Sequence, residues 1–306
     1  MAVSLTESER QNIRHLVYLA REEDLGGGDV TGRILPADLR ATGRFVARKP
    51  TVLCGGVLLD TVAKEYNELI EMILWQEEGA HLEAGDVIAE WTGPAWAILA
   101  AERVALNFLQ RLSGIATTTR KFVNTISGTS AAIYDTRKTA PGWRHIEKYA
   151  VRVGGGKNHR RGLYDAVMVK DNHLHAMIAG GIAEPLKEIA GLLKELRGEI
   201  GHDGFVEVEI DHLSQLPDAL KLPVDVILLD NMMPDKLTQA VRMRDEAGLK
   251  GKVELEASGG ISLRRVRAVA ETGVERISCG TITHSAPAAD IAMDIEIQKK
   301  VASGRQ

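Results

Sequence analysis

The chain has 306 residues, of which 44% are hydrophobic and 4% aromatic, and its formal net charge is −4. A chain of this length can bury at least one full core and is expected to form two domains. The charge gives no reason to expect nucleic acid as a partner, because that partner calls for a basic domain. No apolar stretch approaches the roughly 20 residues that span a bilayer, so we expect neither membrane insertion nor export.

The two cysteines indicate the compartment. Cys54 and Cys279 lie far apart, with no CxxC pattern and no histidine cluster beside them. This spacing predicts neither a disulfide framework nor a zinc site. A reducing cytoplasm is therefore the expected location.

Helical and strand-like patterns alternate in the first third of the chain. Residues 7–29 carry apolar positions at near-helical spacing and end in glycines, which predicts a helix with Ser8 as its N-cap, followed by a loop. Strands are predicted at residues 43–49 and 70–76, on either side of a helix at residues 57–66.

The next predicted elements are a hairpin and two helices. The hairpin covers residues 81–93 and turns at Gly85. The first helix has an apolar stripe and a separate polar face that contains Arg103. The second helix is predicted from near Ile115 to Ile126 and leads out of the first domain.

Six short apolar runs, separated by helical stretches, follow Gly128. They are AAIYDT, DAVMVK, FVEVEI, VDVILLD, VELEAS and ERISCG. This alternation without a reversal predicts a parallel sheet and favours a β/α barrel. Polar and glycine residues gather where the runs end, and in such a barrel the C-terminal ends of the strands carry the active site.

Two glutamates alternate with apolar residues in the run FVEVEI. Alternation places Glu207 and Glu209 on one face of a strand, where they must lie at the rim of the barrel or meet a cation. Glu209 is nearer the strand end, and with Asp230, which ends the next run, it is a candidate ligand of Mg²⁺. The alternative is that one glutamate simply pairs with a lysine or arginine of the barrel.

Glycine-rich turns follow the last two runs. Ser258, Gly259 and Gly260 precede Ser262, a predicted helix N-cap, and Gly280 follows the last run. Late loops of β/α barrels are a frequent phosphate site, so the two turns together indicate phosphate binding. The sequence contains neither the GxxxxGKS/T nor the GxGxxG nucleotide motif.

Cations gather after the first two runs and after a triplet of glycines. They are Arg137, Lys138, His159, Arg160 and Lys170. Arginine and lysine side chains bind carboxylates and phosphates. Lys170 ends an apolar run that should be buried, which favours an anion pocket and leaves a Schiff base, as in barrel aldolases, as the alternative. A solvated basic face is expected for Lys148, Arg152, Lys157 and Arg161.

Longer stretches of the sequence resemble one known family. DTRKTAPGWRHIEKYAVRVGGGKNHRRGLYDAVMVKDNH, with EDLGGGDVT and ERVALNFLQRLSGIAT before it and VEVEID, LLDNM and EASGGIS after it, closely resembles quinolinate phosphoribosyltransferase, also called nicotinate-nucleotide pyrophosphorylase (carboxylating). The resemblance covers nearly the whole chain. It implies transfer of phosphoribosyl from phosphoribosyl pyrophosphate to quinolinate with loss of carbon dioxide, giving nicotinate mononucleotide and pyrophosphate in NAD biosynthesis.

The resemblance also implies a fold and an assembly. The expected fold is an N-terminal α/β sandwich domain, residues 1–128, and an incomplete α/β barrel of about seven strands, residues 129–285, with the tail 286–306 packed on the first domain. Six runs are identified, so one strand is not located in the sequence. A homodimer is expected in which Arg103 reaches the partner's site, and further assembly into hexamers is left open.

The resemblance assigns a role to each candidate residue. The quinolinate carboxylates are bound by Arg103, Arg137, His159 and Arg160. Near both substrates lie Lys138 and Lys170, with Thr136 in the same loop as Lys138. The 5′-phosphate is bound by Ser258, Gly259, Gly260 and Gly280. The ribose hydroxyls and Mg²⁺, the expected cofactor, are held by Glu209 and Asp230. The catalytic set is Lys138, Lys170, Glu209 and Asp230.

The sequence departs from the commoner family pattern at Ala140 and Trp143, and also around Cys54. Two other functions fit a site of this kind. One belongs to the pyrophosphorylase-like proteins linked to molybdenum transport, and the full set of arginines and histidine favours quinolinate over it. The other is a non-catalytic barrel that binds phosphorylated metabolites, which would not need Glu209 and Asp230.

Overall fold

The computed structural model of the chain describes residues 3–298. The helices are α1 (Glu7–Leu25), α2 (Leu59–Tyr66), α3 (Ala95–Thr125), α4 (Arg144–Val153), α5 (Asp171–Ala179), α6 (Pro185–Arg197), α7 (Leu216–Ala219), α8 (Pro234–Glu246), α9 (Val266–Ala270) and α10 (Thr281–His284). The strands are β1 (Arg40–Ala47), β2 (Thr51–Val52), β3 (Glu71–Leu74), β4 (His81–Leu82), β5 (Val87–Pro94), β6 (Ala132–Tyr134), β7 (Val167–Val169), β8 (Val206–Ile210), β9 (Val226–Asp230), β10 (Glu254–Ser258), β11 (Arg276–Ser278) and β12 (Ile291–Ile297). No helix in the described range has the length together with the apolar composition that a transmembrane span requires.

Helix α1 begins with a capping box at Thr6. The Thr6 hydroxyl accepts from the Glu9 backbone N–H at 3.3 Å, and the Glu9 carboxylate accepts from the Thr6 N–H at 2.8 Å. This reciprocal pair satisfies two backbone donors at the start of the helix. The predicted cap at Ser8 is wrong, because Ser8 already lies inside the helix.

Helix α3 is one continuous helix where the sequence analysis predicts two. Gly114 lies in the interior of this helix, where glycine normally lowers helix stability. A Cβ built on Gly114 would lie 2.0 Å from the Pro287 carbonyl oxygen, so the glycine lets that segment pack against the helix. The predicted interruption before Ile115 is therefore wrong, and the glycine serves a packing contact.

Contacts divide the described residues into two units. The first unit contains residues 3–120, 140–155 and 286–298, and the second contains residues 121–139 and 156–285. The predicted division places residues 1–128 and the tail 286–306 in one domain and residues 129–285 in the other, whereas the contacts group residues 121–128 with the second unit and residues 140–155 with the first. Pairing of β12 with β1 brings the described part of the predicted tail into the first unit, whereas residues 299–306 of that tail lie outside the described range.

Helix α4 groups with the first unit because it packs on α1. Arg152 donates to both carboxylate oxygens of Glu9, at 2.8 and 2.9 Å. Lys148, on the same helix, is 1% exposed. The prediction of a solvated basic face is therefore wrong for Lys148, which is buried, and for Arg152, which is bound to a buried glutamate.

The first unit is an α/β sandwich built on a four-stranded antiparallel sheet with the order β12-β1-β5-β3. Phe45 and Trp91 pack edge to face in its core, with ring centroids 4.8 Å apart. The predicted turn at Gly85 is present, with a φ of +99°. The predicted hairpin is wrong, because β4 pairs with β2, whereas β5 pairs with β1 and β3.

The second unit is an incomplete α/β barrel. Its parallel sheet has the order β6-β11-β10-β9-β8-β7, and each of these strands comes from one of the six apolar runs. An extended segment at Lys157 lies beside β6, because Lys157 N–H donates to the Ile133 carbonyl at 2.7 Å and the Lys157 carbonyl accepts from Asp135 N–H at 3.1 Å. This segment supplies a further strand position, and it escapes sequence analysis because it is a single bridge after three glycines.

Replacing Gly114 with alanine tests the packing role of this glycine. Gly114→Ala is expected to lower the free energy of unfolding by about 1–3 kcal/mol, because the added methyl group collides with the Pro287 carbonyl. Gly191→Ala in α6 is the matched control, since nothing lies within 4 Å of a Cβ there. The control should be stabilised by up to about 1 kcal/mol. Urea and thermal unfolding measure both effects, and stabilisation by both substitutions would contradict the packing role.

Candidate active site

A cavity of about 670 Å³ lies in the second unit at the C-terminal ends of the barrel strands. Its walls include Thr136, Arg137, Lys138, His159, Arg160, Lys170, Glu209, Asp230, Ser258, Gly259, Gly260 and Gly280. Arg103 is not among the residues that line it; the side chain of Arg103 is exposed on α3, in the first unit. The ends of parallel barrel strands are where folds of this kind place their active sites.

Strand register places the two candidate metal ligands at different depths. Glu209 is level with Leu228 in the pairing of β8 with β9, and Asp230 is level with Ser258 in the pairing of β9 with β10. Leu228, the partner of Glu209, precedes Asp230 by two residues on β9, so Asp230 lies nearer the rim than Glu209. Because side chains two residues apart share a face, both carboxylates point to the same side of the sheet.

An ion pair joins Lys170 and Glu209 at the cavity. Lys170 Nζ lies 3.3 Å from Glu209 Oε2. Burial raises the pKa of the Glu209 carboxyl, and the Lys170 ammonium opposes that rise. The alternative considered for these glutamates, pairing with a barrel cation, is therefore present for Glu209, with Lys170, the residue that follows β7, as its partner. An ammonium held by a carboxylate is suited to binding anions, whereas a Schiff base requires a neutral amine.

Two guanidinium groups form a cationic side of the cavity. Arg160 is 7% exposed, and burial, together with repulsion from Arg137, lowers the pKa of the Arg160 guanidinium. Arg137 Nε is buried and has no hydrogen-bond partner among residues 3–298. Neighbouring like charges and an unsatisfied donor are both costly until an anion joins them. The arrangement therefore suits a ligand with more than one negative charge.

Two hydroxyl groups hold the loop that follows β6. Thr136 Oγ1 accepts from the Lys138 N–H at 3.0 Å, and Thr283 Oγ1 donates to the Lys138 carbonyl at 2.8 Å. The Lys138 side chain is exposed. Thr136 therefore shapes the loop that presents this lysine to the cavity.

The glycine turn after β10 fits closely around Asn231. Gly259 has a φ of +92°, and a Cβ built on it would lie 2.1 Å from Asn231 Oδ1. Asn231 has a φ of 54°, and its Nδ2 donates to Asp230 Oδ2 at 2.6 Å. Glycine at this position thus allows the asparagine to hold the rim carboxylate in place.

The predicted helix start at Ser262 is wrong. Helix α9 begins at Val266, and the Ser262 carbonyl accepts from the N–H groups of Arg265 and Val266, each at 2.9 Å. At the first of the two glycine turns, a phosphate would therefore meet backbone N–H groups of the turn and not the start of α9. Gly280 belongs to the second of these turns, and a Cβ on it would lie 3.0 Å from Lys138 Cδ.

Sequence analysis misses several residues of the cavity wall, among them Asn231, Glu256, Thr281 and His284. Glu256 has a visible signal, because the run VELEAS alternates glutamates in the same way as FVEVEI. His284 has no such signal, since it ends a four-residue helix beyond the last run. Its Nδ1 lies 2.6 Å from Ser285 Oγ.

Three buried side chains, His159, Glu207 and Glu256, lie close together, and two of them, His159 and Glu256, also line the cavity. His159 Nε2 is 3.0 Å from Glu207 Oε2 and 3.6 Å from Glu256 Oε1, and both glutamates are 0% exposed. Burial raises the pKa of Glu207 to about 8 and the pKa of Glu256 to about 7. His159 Nδ1 accepts from the Arg160 backbone N–H at 2.8 Å. Both ring nitrogens of His159 thus face protein groups, although the family resemblance assigns the ring to a substrate carboxylate.

Comparison with known proteins gives consistent matches along the chain. Residues 29–113 match the family model described as quinolinate phosphoribosyl transferase, N-terminal domain, and residues 115–294 match the one described as its C-terminal domain. A Bacillus subtilis (strain 168) protein named "Probable nicotinate-nucleotide pyrophosphorylase (carboxylating)" is 41% identical over 278 residues, which is 91% of each chain. The structure of the nicotinate-nucleotide pyrophosphorylase from Francisella tularensis is 34% identical, with a TM-score of 0.84 over 97% of this chain and 99% of that one. NadC from Streptococcus pyogenes is 32% identical, with a TM-score of 0.86 over 97% and 100% of the two chains.

Alanine at Gly259 tests whether the glycine turn forms a phosphate site. Gly259→Ala is expected to weaken binding of phosphoribosyl pyrophosphate about tenfold or more, because the methyl group displaces Asn231 and the turn around it. Gly251→Ala is the matched control, with a φ of +71° and open space around its Cβ. It introduces a similar backbone strain without the collision. Calorimetric titration measures both affinities, and equal weakening would show that strain alone is responsible.

Proposed function

Because the chain belongs to the quinolinate phosphoribosyl transferase family, we propose that its barrel cavity is the site of the family reaction. Phosphoribosyl is transferred from phosphoribosyl pyrophosphate to quinolinate with loss of carbon dioxide, giving nicotinate mononucleotide and pyrophosphate in NAD biosynthesis. The observation that carries the assignment to this cavity is the pair of neighbouring guanidinium groups, Arg137 and Arg160, with a buried donor left unsatisfied.

Quinolinate fits the cationic side of the cavity. It carries two carboxylates on adjacent carbons of a pyridine ring, and planar guanidinium groups bind carboxylates with two parallel hydrogen bonds. Binding a dianion between Arg137 and Arg160 removes their mutual repulsion and satisfies Arg137 Nε. Lys170 adds a third positive charge next to them. We assign the His159 ring to the wall of this pocket.

Phosphoribosyl pyrophosphate fits the opposite side. We assign its 5′-phosphate to the N–H groups of the turns at Ser258, Gly259, Gly260 and Gly280. The exposed ammonium of Lys138 lies at the same turn as Gly280, which suits a phosphate oxygen. The Glu209 and Asp230 carboxylates line the space between the two sides and accept from the ribose hydroxyls in this arrangement.

Mg²⁺ is the proposed cofactor, and the donor groups fit it. Mg²⁺ is usually held by one or two carboxylates together with substrate phosphates and water. Glu209 and Asp230 form such a pair. They are close enough that the charge of Asp230, in addition to burial, raises the pKa of Glu209. When bound there, the ion would neutralise negative charge on the departing pyrophosphate.

The proposed reaction moves charge between the two substrates, and side chains of the protein compensate that charge. The quinolinate nitrogen forms a bond to ribose C1 while the bond from C1 to pyrophosphate breaks, and the Glu209 and Asp230 carboxylates offset the positive charge that develops on the ribose. Lys138 and Lys170 offset the charge that moves to pyrophosphate. The nitrogen is then cationic, so the electron pair left on the adjacent carbon as carbon dioxide departs is stabilised, and that carbon takes up a proton. No covalent bond to the chain is needed.

Two finer proposals concern assembly and location. We propose a homodimer in which Arg103 reaches the cavity of a second copy, because its side chain is exposed and is not part of the cavity of its own chain. We propose a reducing cytoplasm, which is supported by Cys54 and Cys279 being free and buried. The molybdenum-linked and non-catalytic alternatives are not favoured, because the matched families and relatives carry the names of the quinolinate enzyme.

Removing single cations tests the assignment of the cavity. Arg137→Ala and Lys170→Ala are each expected to lower kcat/KM for quinolinate by about a hundredfold, a loss of about 2.7 kcal/mol of transition-state stabilisation. Lys187→Ala, at an exposed lysine paired with Glu184, is the control and should keep the wild-type rate. Release of carbon dioxide from quinolinate is measured with phosphoribosyl pyrophosphate and Mg²⁺, and with excess chelator to test the ion. A wild-type rate from either variant would remove that residue from the site.

Mixing two inactive variants tests the dimer. If Arg103 acts across the interface, Arg103→Ala and Lys170→Ala damage sites from opposite chains, so a mixed dimer contains one intact site. An equal mixture after reassociation should recover about a quarter of the wild-type activity by random pairing. Each variant mixed with itself is the control. Absence of recovery in a mixture shown by mass spectrometry to contain mixed dimers would place Arg103 outside the partner's site.

A further inference from the structure

The side chain of His159 lines the cavity and contacts several groups of the barrel. Its Nδ1 accepts from the Arg160 N–H at 2.8 Å, and its Nε2 points to Glu207 and Glu256, at 3.0 and 3.6 Å. Its ring packs edge to face on Phe205, with centroids 5.1 Å apart. One ring nitrogen of His159 therefore contacts the Arg160 backbone, and the other lies close to two buried glutamates inside the barrel.

The same three side chains carry a ligand set that a divalent metal could use. One ligand atom from each of His159, Glu207 and Glu256 lies within 4.8 Å of the others. A metal on Nε2, however, requires the ring proton on Nδ1, which normally donates to a neighbour. Here Nδ1 is the acceptor of a backbone N–H, so the neutral ring carries its proton on Nε2. The Nδ1 contact thus leaves Nε2–H within ion-pair distance of two carboxyl groups, with which it makes no aligned hydrogen bond among residues 3–298.

This cluster is connected to the substrate pocket through the backbone. Arg160 follows His159 directly, and the Arg160 N–H donates a hydrogen bond to His159 Nδ1. The Arg160 guanidinium lies beside the like charge of Arg137, which pushes the two side chains apart. A fixed His159 ring fixes the start of the Arg160 side chain against that repulsion.

We propose that Glu207 and Glu256 are positioning residues for the recognition of the substrate carboxylates. They orient His159, His159 fixes the Arg160 backbone, and Arg160 is thereby held at the place where it meets a carboxylate of quinolinate. The inference rests on the proposed role of Arg160. Neither glutamate needs to touch the substrate in this scheme.

Paired substitutions separate the orienting role from a general role in folding. Glu207→Gln keeps an oxygen acceptor for Nε2–H, whereas Glu207→Leu has a similar volume and no acceptor. Glu207→Leu is expected to raise KM for quinolinate about tenfold, equivalent to about 1.4 kcal/mol, with KM for phosphoribosyl pyrophosphate changed less than about twofold. Glu207→Gln should stay within about threefold of wild type in both constants. Equal increases in both KM values for Glu207→Leu would overturn the proposal.

A double-mutant cycle tests the path through His159. His159→Phe keeps a ring against Phe205 and removes both nitrogens, so adding Glu207→Leu to it should raise KM for quinolinate no further. Additive effects of the two substitutions would contradict positioning through His159. The pair Glu256→Leu and Glu256→Gln makes the same comparison if Glu207→Leu does not fold.

Arg160→Met separates the proposed role of Arg160 from the positioning role of Glu207. An unchanged KM for quinolinate in Arg160→Met refutes the role of Arg160. A raised KM for quinolinate in Arg160→Met, with an unchanged KM in Glu207→Leu, refutes the positioning role alone.

Discussion

Burial of charge inside the barrel is the constraint on which the site depends. Glu207 and Glu256 have no exposed surface, and leaving water is costly for a carboxylate unless a cation or a proton compensates it. Arg276 supplies compensation from below: it pairs with Glu254 and lies between the rings of Tyr134 and Phe205, at 4.9 and 5.1 Å. An apolar interior would fold with less difficulty, but it would place no polar groups next to His159.

The rim shows the opposite imbalance, with positive charge in excess. Repulsion between Arg137 and Arg160, and the unsatisfied Nε of Arg137, are costs of the free chain that the proposed dicarboxylate ligand would remove. Sites that bind charged ligands commonly carry such costs, since the groups are arranged for the complex and not for the stability of the free protein. In their ionised forms, Glu207 and Glu209 offset part of this cost, because both favour the charged form of Arg160.

Sequence reasoning located the strands and the residues at their ends because both leave local signals. All six apolar runs form strands, and twelve selected residues line one cavity. What it missed depends on partners remote in sequence. The strand position at Lys157 is defined by hydrogen bonds to Ile133 and Asp135. His159 lies beside glutamates of two strands, β8 and β10, that are remote from it in sequence. Gly114 looks like a helix breaker until Pro287 is placed against it.

Trp143, where the sequence analysis predicts a departure from the commoner family pattern, makes a packing contact that is likewise remote in sequence. Trp143 stacks on Phe108 of α3, with ring centroids 4.9 Å apart and planes 19° from parallel. The Ala140 N–H on the same stretch meets a Glu147 oxygen at 3.4 Å, and Arg111 of α3 donates to that carboxylate's other oxygen. A large aromatic ring therefore joins this stretch to the helix that carries Arg103, and the polar contacts fix its path. A substitution that removes the Trp143 ring therefore loses a packing contact with α3, the helix that also carries Arg103.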